Sequence, residues 1–134
     1  MQYIAILVGA VVATAFGFLW YSKFLFGKQW MEYSGQTEEK INEAKARGMA
    51  KIYGANFVVT LISVFVIYRF LELLQITSIV GACEFVLWAW LGFIVPIELN
   101  PVFWTGKPWK LFIINSLQYL GTFLLAAIAL VLIK

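Results

Sequence analysis

Residues 110–132 read KLFIINSLQYLGTFLLAAIALVL, and after Lys110 the stretch carries no charge. At about 1.5 Å of rise per residue, a helix of this length crosses the roughly 30 Å hydrocarbon core of a bilayer. Lipid offers no hydrogen-bond partner to a backbone, so such a segment must satisfy its own N–H and C=O groups. Three further runs have the same character, at 3–22, 53–73 and 77–97. Their lengths suit helices and exceed the roughly ten-residue strands of membrane barrels. The sequence therefore predicts an all-α, polytopic integral membrane protein in which residues 1–134 form one membrane domain of four transmembrane helices arranged as two hairpins.

Composition agrees. The chain is 63% hydrophobic and 13% charged with a mean hydropathy of +0.87, whereas a soluble domain averages about 45–50% apolar and about 25% charged. It contains no His and no Asp, which removes most zinc sites, the Ser-His-Asp arrangement and HExxH metalloproteases. Neither a metal nor a cofactor is expected. Glu84, Glu98, Cys83, the tyrosines and the lysines are the groups left for chemistry, and no spacing among them pairs a nucleophile with a base. An enzyme is therefore not expected. The single cysteine, Cys83, reads as packing. The first run has no Lys or Arg ahead of it and no clear small-x-small cleavage site, so it is expected to stay in the mature protein.

Charge sets the orientation. Lys23, Lys28, Lys40, Lys45, Arg47, Lys51, Lys107 and Lys110 fall in the two loops on one side, against Arg69 and Lys134 on the other. The positive-inside rule then places both long loops in the cytoplasm and both termini outside, in a cell (inner) membrane. Trp20, Tyr21, Trp30, Trp104 and Trp109 gather at the cytoplasmic ends, where amphipathic rings settle at headgroup level. This topology accounts for the net charge of +3, and no basic patch interleaved with exposed aromatics points to nucleic acid. Within the first loop a short helix is expected over 38–47, with Thr37 as its cap and Gly48 closing it. It reads as a solvated linker or as a docking surface for a partner or for anionic headgroups.

Two loops share a word. Gly27-Lys28-Gln29-Trp30 and Gly106-Lys107-Pro108-Trp109 each follow a Gly-Phe pair, Gly17-Phe18 and Gly92-Phe93. The helices after them each carry an Asn in their first turns, Asn56 and Asn115. Duplication would make the hairpins a parallel repeat about an axis along the membrane normal. Ordinary interfacial preference for Gly, Lys and Trp is the alternative. With Gly17-Phe18-Leu19-Trp20-Tyr21-Ser22, Phe26-Gly27-Lys28-Gln29-Trp30 and Trp90-Leu91-Gly92-Phe93, these words resemble the domain-of-unknown-function 1761 family over nearly the whole chain. The resemblance implies a small, mostly bacterial four-helix membrane protein. It supplies no activity and no catalytic residue.

Polar residues inside the spans are the candidate site. Asn56, Thr60 and Ser63 form one stripe, and Asn115, Gln118 and Thr122 form another, each along one helical face. Either they bond helix to helix or they line a polar path for solute or water. Gly9, Ala13 and Gly17 repeat every four residues and let another backbone approach, from the same chain or from a second subunit. Glu84 lies seven positions into the third run, about 10 Å deep by the helical rise. It needs a partner, water or a proton there. Arg69 is the expected partner, and Trp88, one turn away, the expected pocket wall. If Glu84 is a proton or cation site, a Glu84→Gln variant inserts but loses linked flux. Glu98 sits between Pro96 and Pro101, which are expected to end the helix. Its carboxylate would pair with Lys107, Lys110 or Lys23, or act as a gate. Two functions follow: a carrier or channel for a small solute or cation working as a homo-oligomer, or a non-catalytic accessory protein that recruits another membrane subunit.

Overall fold

A computed structural model describes residues 2–22, 25–35 and 37–133. Four helices in it are long and apolar enough to cross a membrane: Gln2–Trp20, Ala50–Leu73, Ile79–Trp104 and Trp109–Ile133. The first is α1 (Gln2–Trp20) and the last α7 (Trp109–Ile133). The second lies within α4 (Met49–Leu73), which begins one turn earlier than the apolar run. The long loop folds into two helices, α2 (Gly27–Ser34) and α3 (Glu38–Ala46). Thr37 caps α3 as expected, its Oγ1 accepting the Lys40 N–H at 3.1 Å. Helix α2 is not anticipated by any residue pattern, and its start depends on a close backbone approach: a methyl on Gly27 would collide with the carbonyls of Tyr21 and Ser22.

The third span differs from its sequence reading. It does not end near residue 97 but continues as α5 (Ile79–Ala89), a π-helical turn over Trp90–Ile94, and α6 (Val95–Trp104). In the π turn the Val95 N–H donates to the Trp90 carbonyl, five residues back. The wider turn just ahead of Pro96 gives the pyrrolidine ring room that a tight α turn would deny it. Pro101 is accommodated further on, its carbonyl accepting from the Thr105 N–H, the Thr105 hydroxyl and the Lys107 N–H. The two prolines therefore shape the helix without ending it.

Large apolar side chains such as Val58, Ile62, Val80, Leu91, Phe93 and Leu132 coat the outside of the bundle, as a surface solvated by lipid requires. The buried core lies at the end that holds the chain termini. There Ala5, Ala10 and Ala13 of α1 meet Ala126, Ala127 and Leu130 of α7, with Val64, Ile67 and Leu71 of α4 and Ala82 and Val86 of α5 around them. Alanine facing alanine lets α1 and α7 approach closely, and α4 fills the seam with branched side chains. Gly9 belongs to this packing, since a Cβ there would lie 3.0 Å from Val64 Cγ1 and 3.6 Å from the Ala126 carbonyl oxygen. A polar clasp closes the same end. The Tyr68 hydroxyl donates to Gln2 Oε1 at 2.7 Å and lies 3.1 Å from Glu72 Oε2, while Glu72 pairs with Arg69.

Toward the loop end the helices part unequally. α1 stays against α7: Gly17 faces Gln118, the Trp20 indole donates to the Ile114 carbonyl at 3.0 Å, and the Tyr21 hydroxyl donates to Asn115 Oδ1 at 2.8 Å. α1 also keeps α4, through an edge-to-face contact of Phe18 with Tyr53 at 5.2 Å. The space that opens lies between α4 and α7, with α1 behind it.

Candidate functional site

That space is a cleft of about 690 Å³ in the loop-end half of the bundle, a size typical of small-molecule sites. The polar stripes of two helices converge on it: Asn56, Thr60 and Ser63 from α4, and Gln118 and Thr122 from α7. Helix α1 adds Ala13, Thr14 and Gly17, whose small side chains leave the volume empty. Around the mouth stand Phe18, Tyr21, Trp30, Tyr53 and Tyr119. Asn56 and Val59 are wall residues and yet exposed, so the site is an open cleft and not a sealed void.

The hydrogen bonding of the stripes is informative. Thr60 donates back to the Asn56 carbonyl of its own helix at 2.8 Å, and the Gln118 amide donates to Thr122 Oγ1 one turn along its own helix at 2.7 Å. The side chains of Asn56 and Ser63 make no hydrogen bond among the described residues. Thr14 Oγ1 is buried and also has no partner. None of these groups bonds across the cleft. An unmet buried hydroxyl costs about 1–3 kcal/mol, so this arrangement is poor glue and leaves donors and acceptors available to an occupant.

Asn115, grouped with Gln118 and Thr122 by sequence, lies outside the cleft lining and is held by Tyr21. Burial raises the Tyr21 pKa above its ordinary value, and the nearby Tyr119 and the charge of Glu98 push the same way. Tyr21 therefore remains a neutral donor at physiological pH. Its ring meets the edge of Trp30 at 5.5 Å, which fixes α2 against the mouth. The aromatic cluster reads in sequence as headgroup anchoring. Trp104 and Trp109 fit that reading by exposure, whereas Tyr21 and Trp30 are part of the cleft.

Other expected site residues lie elsewhere. Arg69 does not reach Glu84: it pairs with Glu72, three residues along its own helix, a nearer partner that needs no second element. Glu84 and Trp88 are exposed on the outward face of α5, with Ala82 and Val86 turned inward in their place, so they form no pocket together. Glu84 has no ion-pair or hydrogen-bond partner among the described residues. Glu98 is half-buried on α6 and makes no ion pair with Lys107 or Lys110 among the described residues; Lys23 lies outside them. Lys110 stands instead over the Tyr33 ring at 5.7 Å, while Lys28 and Lys107 are exposed. The two Gly-Lys words adopt different conformations. Gly27 opens a helix under a close backbone contact, and Gly106 is a left-handed turn residue, φ 68°, with open space around it.

Thr14 and the cleft aromatics Phe18, Tyr53 and Tyr119 escaped the sequence reading. Thr14 sits on the face adjoining the Gly9, Ala13 and Gly17 stripe, which was the one signal pointing to it. No curated protein and no solved structure matches the chain. One family model does, over residues 4–131, under the description "Protein of unknown function (DUF1761)". That span reaches all four apolar helices and takes in every residue of the cleft, and the chain belongs to the DUF1761 family.

Proposed function

We propose that this protein is a membrane carrier for a small solute, which binds in the cleft between α1, α4 and α7. The observation that carries this reading is the set of unmet polar groups, Thr14, Asn56 and Ser63, turned into one cleft in the middle of apolar helices. Access favours a carrier over a pore. The cleft lies in the loop-end half and is open at Asn56 and Val59, whereas the alanine-rich core and the Tyr68 clasp close the termini end. One open and one closed end is the geometry expected of a carrier in one of its two states. The excess of basic residues in the loops would put the open end in the cytoplasm. Glu84 is not part of this mechanism, because it faces away from the cleft.

The test uses a double variant, Asn56→Leu with Gln118→Leu. Liposomes containing wild-type or variant protein are loaded with a low-molecular-weight cell extract, and the escaping solutes are identified by mass spectrometry. At least one solute class should leave wild-type vesicles and stay in variant vesicles. Thermal stability should be equal or higher in the variant, because no interhelical hydrogen bond is lost. Identical retention in the two, or a clear fall in stability, would count for helix-to-helix bonding and against a carrier.

A second reading, an accessory subunit, is favoured by Glu84. A carboxylate without a partner on an outward apolar face is suited to a donor from a neighbouring chain. Native mass spectrometry in lipid nanodiscs, comparing wild type with Glu84→Leu, would separate the two: loss of a bound subunit in the variant alone supports the accessory role.

A further inference from the structure

We infer that the cleft selects an uncharged solute bearing both hydrogen-bonding groups and a flat apolar portion, an inference that rests on reading the cleft as a binding site. Thr14, Asn56, Ser63 and Gln118 offer hydroxyl and amide groups. Each such group both donates and accepts, so together they match a solute with both kinds of polar atom. Among the described residues that line the cleft, none carries a formal charge. An ion entering it would exchange part of its hydration shell for neutral dipoles, with no counter-charge in the lining itself. The buried Thr14 hydroxyl, without a partner of its own, marks the deep end where a polar atom of the solute is needed.

The aromatic walls account for the flat apolar portion. Here Phe18 and Tyr53 meet at 76° and Tyr21 and Trp30 at 63°, so in each pair one ring's edge is set toward the other's face. The remaining surface is suited to stacking against a planar apolar group.

The experiment places a thiol in the cleft, Thr60→Cys in a Cys83→Ser background, in the full chain in liposomes. Its alkylation by a small neutral methanethiosulfonate is timed alone and with naphthylethanol, naphthylacetate or naphthylethylammonium at matched free concentration. Ser63→Cys serves as a second position should Thr60→Cys fail to fold, and the lipid-facing Val58→Cys controls for partitioning into the bilayer. Naphthylethanol should slow labelling at least about fivefold more than either ion, the equivalent of about 1 kcal/mol. It should leave Val58→Cys unaffected. A labelled cleft thiol protected equally by an ion, protected by none of the three, or protected no better than Val58→Cys overturns the inference while the cleft reading stands. A thiol that is never labelled at either cleft position overturns both.

Discussion

Tyr21 joins three parts of the loop end. Its hydroxyl reaches α7 through Asn115, its ring reaches α2 through Trp30, and its side chain closes one side of the cleft. The phenol is held neutral above its ordinary pKa of 10.0, first by burial and then by Tyr119 and Glu98. A group whose folded pKa is raised contributes stability that is complete below the unfolded value and is lost as pH rises through the folded one. The contribution of Tyr21 should therefore be constant from pH 6 to pH 9, within the range below about 10 where the free phenol is protonated. It should decline at higher pH. Tyr21→Phe removes the hydrogen bond and the titration together. At neutral pH it should cost about 1 kcal/mol, and the gap between the thermal unfolding curves of the two proteins should close above pH 10. A gap that is unchanged by alkaline pH would mean that the hydroxyl is not held as described.

At the level of the helix, hydropathy and length were sufficient to find four spans, because lipid imposes the same requirement along each of them. Their ends were less legible. Pro96 and Pro101 carry a strong local signal to stop, and the π turn that admits Pro96 is not written in any residue type. The Arg69–Glu84 expectation failed for a similar reason. Depth in the membrane made the two residues equal candidates, whereas the backbone of α4 already offers Arg69 a carboxylate one turn away. The end of α4 holds another local device. Gln75 adopts a left-handed conformation, φ 56°, with its N–H bonded to the Glu72 carbonyl and the Ile76 N–H to the Leu71 carbonyl. These are the two bonds of a Schellman stop, a position that glycine ordinarily takes. The Gln75 side chain is exposed, so replacing it sacrifices no buried contact. Gln75→Gly should relieve the Cβ crowding and stabilise the fold by about 0.5–1 kcal/mol after the added freedom of the unfolded chain is counted. Thermal unfolding in detergent should show a higher midpoint, and a lower one would mean that the turn is not left-handed in the membrane.

Across the whole bundle, the candidate site was half legible. Periodicity alone put Asn56, Thr60 and Ser63 on one face and Gln118 and Thr122 on another, because a polar stripe in an apolar helix has few interpretations. That the stripes converge without bonding depends on how α4 leaves α7, a tertiary property set by alanines at one end and aromatic contacts at the other. This unequal packing has a mechanical consequence. If the cleft is one state of a carrier, solute can leave by the termini end only when Gln2 of α1 separates from Tyr68 of α4 and the alanine-rich seam opens. A short bifunctional thiol reagent bridging Gln2→Cys and Tyr68→Cys, in a Cys83→Ser background, should hold that end shut. The bridged protein should still bind in the cleft, since the loop end is untouched, yet lose nearly all exchange of solute between the two sides of the liposome. Cleavage of the bridge by a reductant should restore it. Were exchange to continue with the bridge in place, separation at the clasp could not be the step that releases solute, and passage would have to follow a route that leaves the α1–α4 contact intact.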